Sequence, residues 1–153
     1  MDENREIRLA LETDAFEIAE LIYSTSVRCC FTPEQPCPEW FKESVQPSQI
    51  ANLVKFEHMV WLVAVQEQTL TGVLAVSDKS HVKYFFVDPT CQKLGVGKQL
   101  WHFAMDSGVL GNSILVRSSL FAVPVYERLG FKAIEQPKEF NGMRYQTMEA
   151  NYA

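Results

Sequence analysis

The segment Val87-Asp-Pro-Thr-Cys-Gln-Lys-Leu-Gly-Val-Gly-Lys-Gln-Leu100 joins two different hydrophobic periods. Before it, Val82, Tyr84, Phe85, Phe86 and Val87 form a strand-like run. After it, Val96, Leu100, Trp101, Phe103 and Ala104 recur at helical spacing. A strand, a tight loop with two glycines and a helix start make an anion cradle. Their N–H groups converge, and the helix end adds about half a positive charge. Gly95 and Gly97 carry no Cβ, so a phosphate can approach their backbone closely. The segment predicts a site for a phosphorylated ligand.

Two nucleotide-binding loops fail at residues that carry mechanism. Gly97-Lys98 fits the end of a Walker-type loop, but Gln92 replaces its first glycine and Gln99 replaces the Ser or Thr that holds magnesium. Gly95 and Gly97 open a dinucleotide fingerprint, but Leu100 fills the third glycine position. The remaining pattern is Val-x-Pro-x-x-Gln-x-x-Gly-x-Gly-x-x-Leu, carried by Val87, Pro89, Gln92, Gly95, Gly97 and Leu100. It resembles the acetyl-coenzyme A motif of the GNAT superfamily of N-acetyltransferases. A second run, Ser119-x-x-Ala122-x-x-x-Tyr126-x-x-x-Gly130-Phe131, resembles the segment after that family's fifth strand. The family often has Asn where this chain has Ser119.

The resemblance implies direct transfer of an acetyl group from acetyl-coenzyme A, as co-substrate, to an amine of a small molecule or peptide. It implies that the amides of Gln92, Lys93, Leu94, Gly95, Val96, Gly97 and Lys98 hold the pyrophosphate. It implies a bulge in the preceding strand, backbone groups of Phe86 and Val87 on the pantetheine arm, and Val87 N–H as oxyanion donor. Ser119 would contact the arm, with a shorter reach than Asn. Tyr126 would protonate the leaving thiolate, although a tyrosine at this spacing also reads as core packing. His81, eleven residues before Gln92, is the candidate base; it also reads as a solvated residue after the turn Asp78-Lys79-Ser80. Glu57, His58 and Asp88 are further candidates, and bulk water can serve instead. Lys98 could meet a phosphate or solvent, and His102 reads as packing or surface. Trp40, Phe41 and Trp61 could line an acceptor pocket or belong to the core. A non-catalytic acyl-coenzyme A sensor would keep the cradle without needing acid or base. Family members often pair, so a homodimer is also an expectation.

The 153 residues suit one α/β domain, residues 1–153, with a mixed, mostly antiparallel sheet flanked by helices. A net charge of −5 gives no basic nucleic-acid surface and mildly favours a cationic acceptor. No apolar run has the length of a membrane span, and the polar start lacks a secretion signal, so a cytoplasmic location is expected. Cys29, Cys30, Cys37 and Cys91 match no usual zinc spacing and read as free thiols, with no metal expected.

The pattern predicts a strand over 5–11 and an N-cap at Asp14 with Glu17 completing a capping box. It predicts a helix whose stripe includes Phe16, Ile18, Ala19, Leu21, Ile22 and Val27. Short helices are expected at 40–45 and 48–56, the latter capped by Ser48. Strands at 59–65, 70–76 and 82–87 come next, then a helix over 95–107. A strand at 113–117, a helix at 121–129, and strands at 131–134 and 145–149 complete the reading, the last two separated by a polar loop.

Overall fold

The computed structural model describes residues 5–92 and 94–152. The sheet follows the order β1-β2-β3-β4-β5-β8-β6, with β7 also paired to β8. These strands are β1 (Arg5–Leu9), β2 (Met59–Gln66), β3 (Thr69–Ser77), β4 (His81–Val87), β5 (Ser113–Ser119), β6 (Lys132–Ala133), β7 (Lys138–Phe140) and β8 (Met143–Asn151). All pairings are antiparallel except β4 with β5. The expected mixed, mostly antiparallel sheet is present.

Helices α1 (Ala15–Cys29), α2 (Glu39–Ser44) and α3 (Pro47–Lys55) supply one layer, and α4 (Val96–Asp106) and α5 (Val123–Arg128) the other. Strand alternation divides the central residues between two cores. Leu62, Ala64, Leu74 and Val76 join Leu100, Trp101 and Ala104 of α4. Trp61, Val63, Val73 and Ala75 join Ile18, Ile22 and Ile50 of the first layer. With both faces covered, the middle strands read as continuous apolar runs. Among the described residues, no helix is long and apolar enough to cross a membrane.

Several local expectations change. β1 stops at Leu9 because Asp14 closes a 3-10 turn, accepting a bond from Leu11 N–H at 2.7 Å. Asp14 stands at the expected N-cap position of α1, but its side chain makes no capping bond there; its carboxylate accepts two bonds from Arg8 instead, at 2.8 and 3.1 Å. The α1 stripe excludes Phe16 and Val27, which are exposed, and continues instead through Thr25 and Ser26. α3 begins at Pro47 with Gln46 as N-cap, since proline suits the first helical turn. Pro124 likewise sits in the first turn of α5, which starts later than the pattern suggested.

Hairpin β2–β3 turns on two residues, Glu67 and Gln68, both at positive φ. The polar stretch before Tyr145 is a hairpin too. Asn141 and Gly142, at φ 46° and 91°, turn β7 into β8.

Candidate functional site

The site begins at an irregularity in β4. Ala75 pairs with Tyr84 and Val76 with Val82, which leaves Lys83 as an extra residue. This bulge lets Val82 and Phe85 face the same layer although they are three residues apart. β4 pairs with β5 only through His81–Leu115 and Val82–Val116, on the N-terminal side of the bulge. Beyond it, residues 84–87 pair only with β3, and residues 117–119 only with β8. The two strands therefore open into a wedge.

The register shows which backbone groups line it. Asp88 N–H bonds Thr71 C=O at 2.8 Å, making that couple a hydrogen-bonded pair. Hydrogen-bonded pairs alternate along an antiparallel ladder, so Phe86 and Tyr84 also turn their groups toward β3. Phe85 and Val87 turn theirs into the wedge. This corrects the expectation for Phe86: Phe85, not Phe86, shares the wedge edge with Val87. The Val87 carbonyl receives the Gln92 side-chain N–H at 3.1 Å, tying the loop to the strand end.

The cradle follows. Asp88 accepts bonds from Thr90 N–H and Oγ1, at 2.9 and 2.8 Å, and holds the 3-10 turn Pro89–Cys91. Gly95 is the N-cap of α4 at φ 86°, a left-handed conformation that other residues rarely take. The first intrahelical bond runs from Gln99 N–H to Gly95 C=O. Among the described residues, no acceptor meets the N–H groups of Gly95, Val96, Gly97 or Lys98. They form the open helix N-terminus expected of an anion site. Leu94 N–H is taken by Cys91 C=O at 3.2 Å, so this amide leaves the expected set. Lys93 lies outside the described residues. The Lys98 and His102 side chains are exposed.

Two residues that the sequence reading missed position this helix. Gly72 lies in β3 under α4, where a Cβ would come within 2.8 Å of Val96 Cγ1 and 2.9 Å of Leu100 Cδ1. A glycine inside a strand was the available signal. Arg5 donates to Gln99 Oε1 at 2.8 Å and to the Leu94 carbonyl at 3.3 Å, joining β1 to the loop. A contact across 94 positions leaves no local trace.

Tyr126 projects from α5 into the opposite side of the wedge and is 5% exposed. Its ring meets Phe85 and Phe131 at centroid distances of 6.1 and 5.3 Å. The phenol makes no hydrogen bond among the described residues, and burial holds it firmly protonated, with the nearby Cys30 thiol adding to the effect. Ser119, at the end of β5, accepts a bond from Ala122 N–H at 3.2 Å. Tyr126, Ser119, Phe85, Val87 and the free amides of α4 thus come together around one wedge.

His81 stands at the closed vertex, in register with Ser77 and Leu115. It lies four residue steps along β4 from Phe85, about 13 Å. Partial burial, then Lys83 and Arg117, push its pKa down, against a smaller opposing pull from Asp78. Glu57 and His58 lie beyond that end, where His58 contacts Glu57 at 3.6 Å and Asp78 at 3.4 Å. Asp88 contributes instead to a cavity of about 200 Å³ with Glu17, Glu20, Leu21, Ser24 and Leu70. Trp61 belongs to the core, stacked on Tyr84 at 5.3 Å. Trp40 donates to the Asn141 carbonyl at 2.7 Å and packs on Phe140, so α2 is braced against the β7–β8 hairpin.

Known proteins share this architecture. A GCN5-related N-acetyltransferase of Rhodopseudomonas palustris superposes with TM-score 0.77 at 18% identity, covering 97% of this chain and 96% of its own. The PaiA N-acetyltransferase of Thermoplasma acidophilum, solved in complex with coenzyme A, gives 0.76 at 17% identity, covering 97% and 99%. Aminoglycoside 6′-acetyltransferase type Ii gives 0.70 at 15% identity, covering 97% of each chain. No curated protein matches the sequence. The model of the acetyltransferase (GNAT) domain matches residues 28–152. The chain belongs to the GNAT acetyltransferase family, whose common chemistry is acyl transfer.

Proposed function

We propose that this protein moves an acetyl group from acetyl-coenzyme A directly to an amine of a small molecule or peptide. The observation that carries this reading is the wedge between β4 and β5, with an open helix N-terminus at its mouth and a protonated tyrosine on its wall.

The free amides at Gly95–Lys98 suit a pyrophosphate. The unpaired edge of β4 suits an extended, amide-bearing arm, which would pair with it as a short extra strand. With the thioester sulfur beside Tyr126, its carbonyl oxygen lies by the wedge-facing N–H groups of Val87 and Phe85. Those donors stabilise the negative charge that grows as the amine attacks. The C–N bond forms, the C–S bond breaks, and the Tyr126 phenol gives its proton to the departing sulfur.

The amine must first lose a proton. His81, kept neutral by its surroundings, is our assigned acceptor and acts through intervening water. The carboxylates of Glu17, Glu20 and Asp88 around the neighbouring cavity suit a cationic acceptor.

Thiol release from acetyl-coenzyme A across a panel of polyamines, aminoglycosides and peptide N-termini tests this function. Acceleration by an amine supports it. A rise in melting temperature with coenzyme A, without amine-dependent thiol release, would instead indicate a sensor.

A further inference from the structure

Arg5 is a buried cation beside the cradle. It is 9% exposed and belongs to the edge strand β1. Its Nη1 donates to Gln99 Oε1 at 2.8 Å, and its Nη2 donates to the Leu94 carbonyl at 3.3 Å. These two acceptors bracket the open amides, because Leu94 precedes Gly95 and Gln99 follows Lys98. One planar guanidinium thus grips both ends of the set. The bond to Leu94 also has a directional consequence. In a trans peptide the C=O and the following N–H point opposite ways. With the Leu94 carbonyl turned toward Arg5, the Gly95 N–H turns away from it, unpaired among the described residues and open to a ligand.

Glycine by itself leaves that direction unfixed. Gly95 sits at φ 86° and ψ 9°, the values of the third residue of a type II turn. Turning the Leu94–Gly95 peptide over gives φ of about −90° and ψ of about 0°, the type I values, which glycine adopts as readily. The flipped peptide would present a carbonyl oxygen to an anion where an N–H is needed. We propose that Arg5 is a positioning residue for the coenzyme pyrophosphate: its bond to the Leu94 carbonyl locks this peptide with the Gly95 N–H facing the ligand. This rests on the function proposed above, which puts the pyrophosphate on these amides.

Gln99 completes the arrangement. Its side chain seats the guanidinium, while its N–H closes the first turn of α4 on the Gly95 carbonyl at 3.0 Å. The peptide before Gly95 is therefore held by Arg5, and the peptide after it by the helix. Lysine cannot take over this role. Its ammonium keeps the charge, but it is a compact point on a flexible stem and lacks a rigid fork set for two acceptors.

The test combines calorimetry with coenzyme A and amide NMR on the isotope-labelled full chain. Arg5→Gln should weaken coenzyme A binding roughly tenfold, and Arg5→Lys nearly as much. Arg5→Lys keeps a cation at the buried position, so the test survives if Arg5→Gln fails to fold. The Gly95 amide should give one sharp signal in the parent, shifted by coenzyme A. In the variants it should broaden or double as the peptide flips, while signals from β5 and β8 stay in place. Parent-like affinity and a single Gly95 signal in Arg5→Lys would reduce Arg5 to a charge and overturn the proposal. Weakened binding with an unchanged Gly95 signal would also overturn it, as the mark of a merely structural role. No binding of coenzyme A by the parent would instead contradict the proposed coenzyme site.

Discussion

The Tyr126 ring meets Phe85 nearly edge-on, with centroids 6.1 Å apart and an interplanar angle of 62°. This contact spans the wedge, joining α5 to the unpaired edge of β4. Packing and chemistry can be separated here, because phenylalanine keeps the ring and loses only the hydroxyl. Tyr126→Phe should fold at least as stably as the parent, since the hydroxyl has no hydrogen-bond partner among the described residues. Its kcat should fall about 10²–10⁴-fold with little change in KM for acetyl-coenzyme A. Steady-state kinetics with thermal melts checks both. Unchanged turnover would leave Tyr126 a core residue.

Gly72 makes a steric prediction. A Cβ there would collide with Val96 and Leu100, both fully buried. Gly72→Ala should lift the start of α4 from β3, costing about 1–3 kcal/mol. Coenzyme affinity should fall as well, because the same helix carries the cradle. Denaturant titration and calorimetry measure the two effects.

His81 sets a pH prediction. Its folded pKa lies below the ordinary value near 6.5, so it is neutral at pH 7. Activity should hold above about pH 6.5 and decline as pH falls through the folded value and the imidazole gains a proton. His81→Gln should lower kcat on the order of 10²-fold and lose that acid limb. A mutant retaining the parent profile would assign deprotonation to bulk water. The stability sign agrees. The unfolded chain binds this proton more readily, so His81 favours folding at neutral pH and loses that contribution in acid.

Asp14 bears on stability alone. Its hydrogen bonds from Arg8 hold its pKa below the usual carboxylate value, although burial opposes them. That contribution is present above the unfolded pKa near 4 and is lost as pH falls through the lower folded value. Asp14→Asn should cost about 1–3 kcal/mol at pH 7, and the difference from the parent should shrink below about pH 4. Melting curves from pH 3 to 8 would show this.

The family and the cradle were legible because they are local. Gly95, Gly97 and Leu100 lie within six positions, and their pattern specifies a strand, a turn and a helix start. The wedge was less legible. Which residue of β4 faces β5 depends on the ladder with β3, so one step of register separates Phe85 from Phe86. Asn141-Gly142 is a strong local turn signal, but its flanking strand is only Lys138–Phe140 and carries little apolar alternation.

Amine-dependent release of thiol from acetyl-coenzyme A, measured side by side for the parent protein and Tyr126→Phe, tests the account most directly. The account predicts that an amine in the panel raises release above the hydrolytic background, and that Tyr126→Phe removes most of the increment. If coenzyme A raises the melting temperature while no amine raises thiol release, acetyl transfer in this wedge is contradicted.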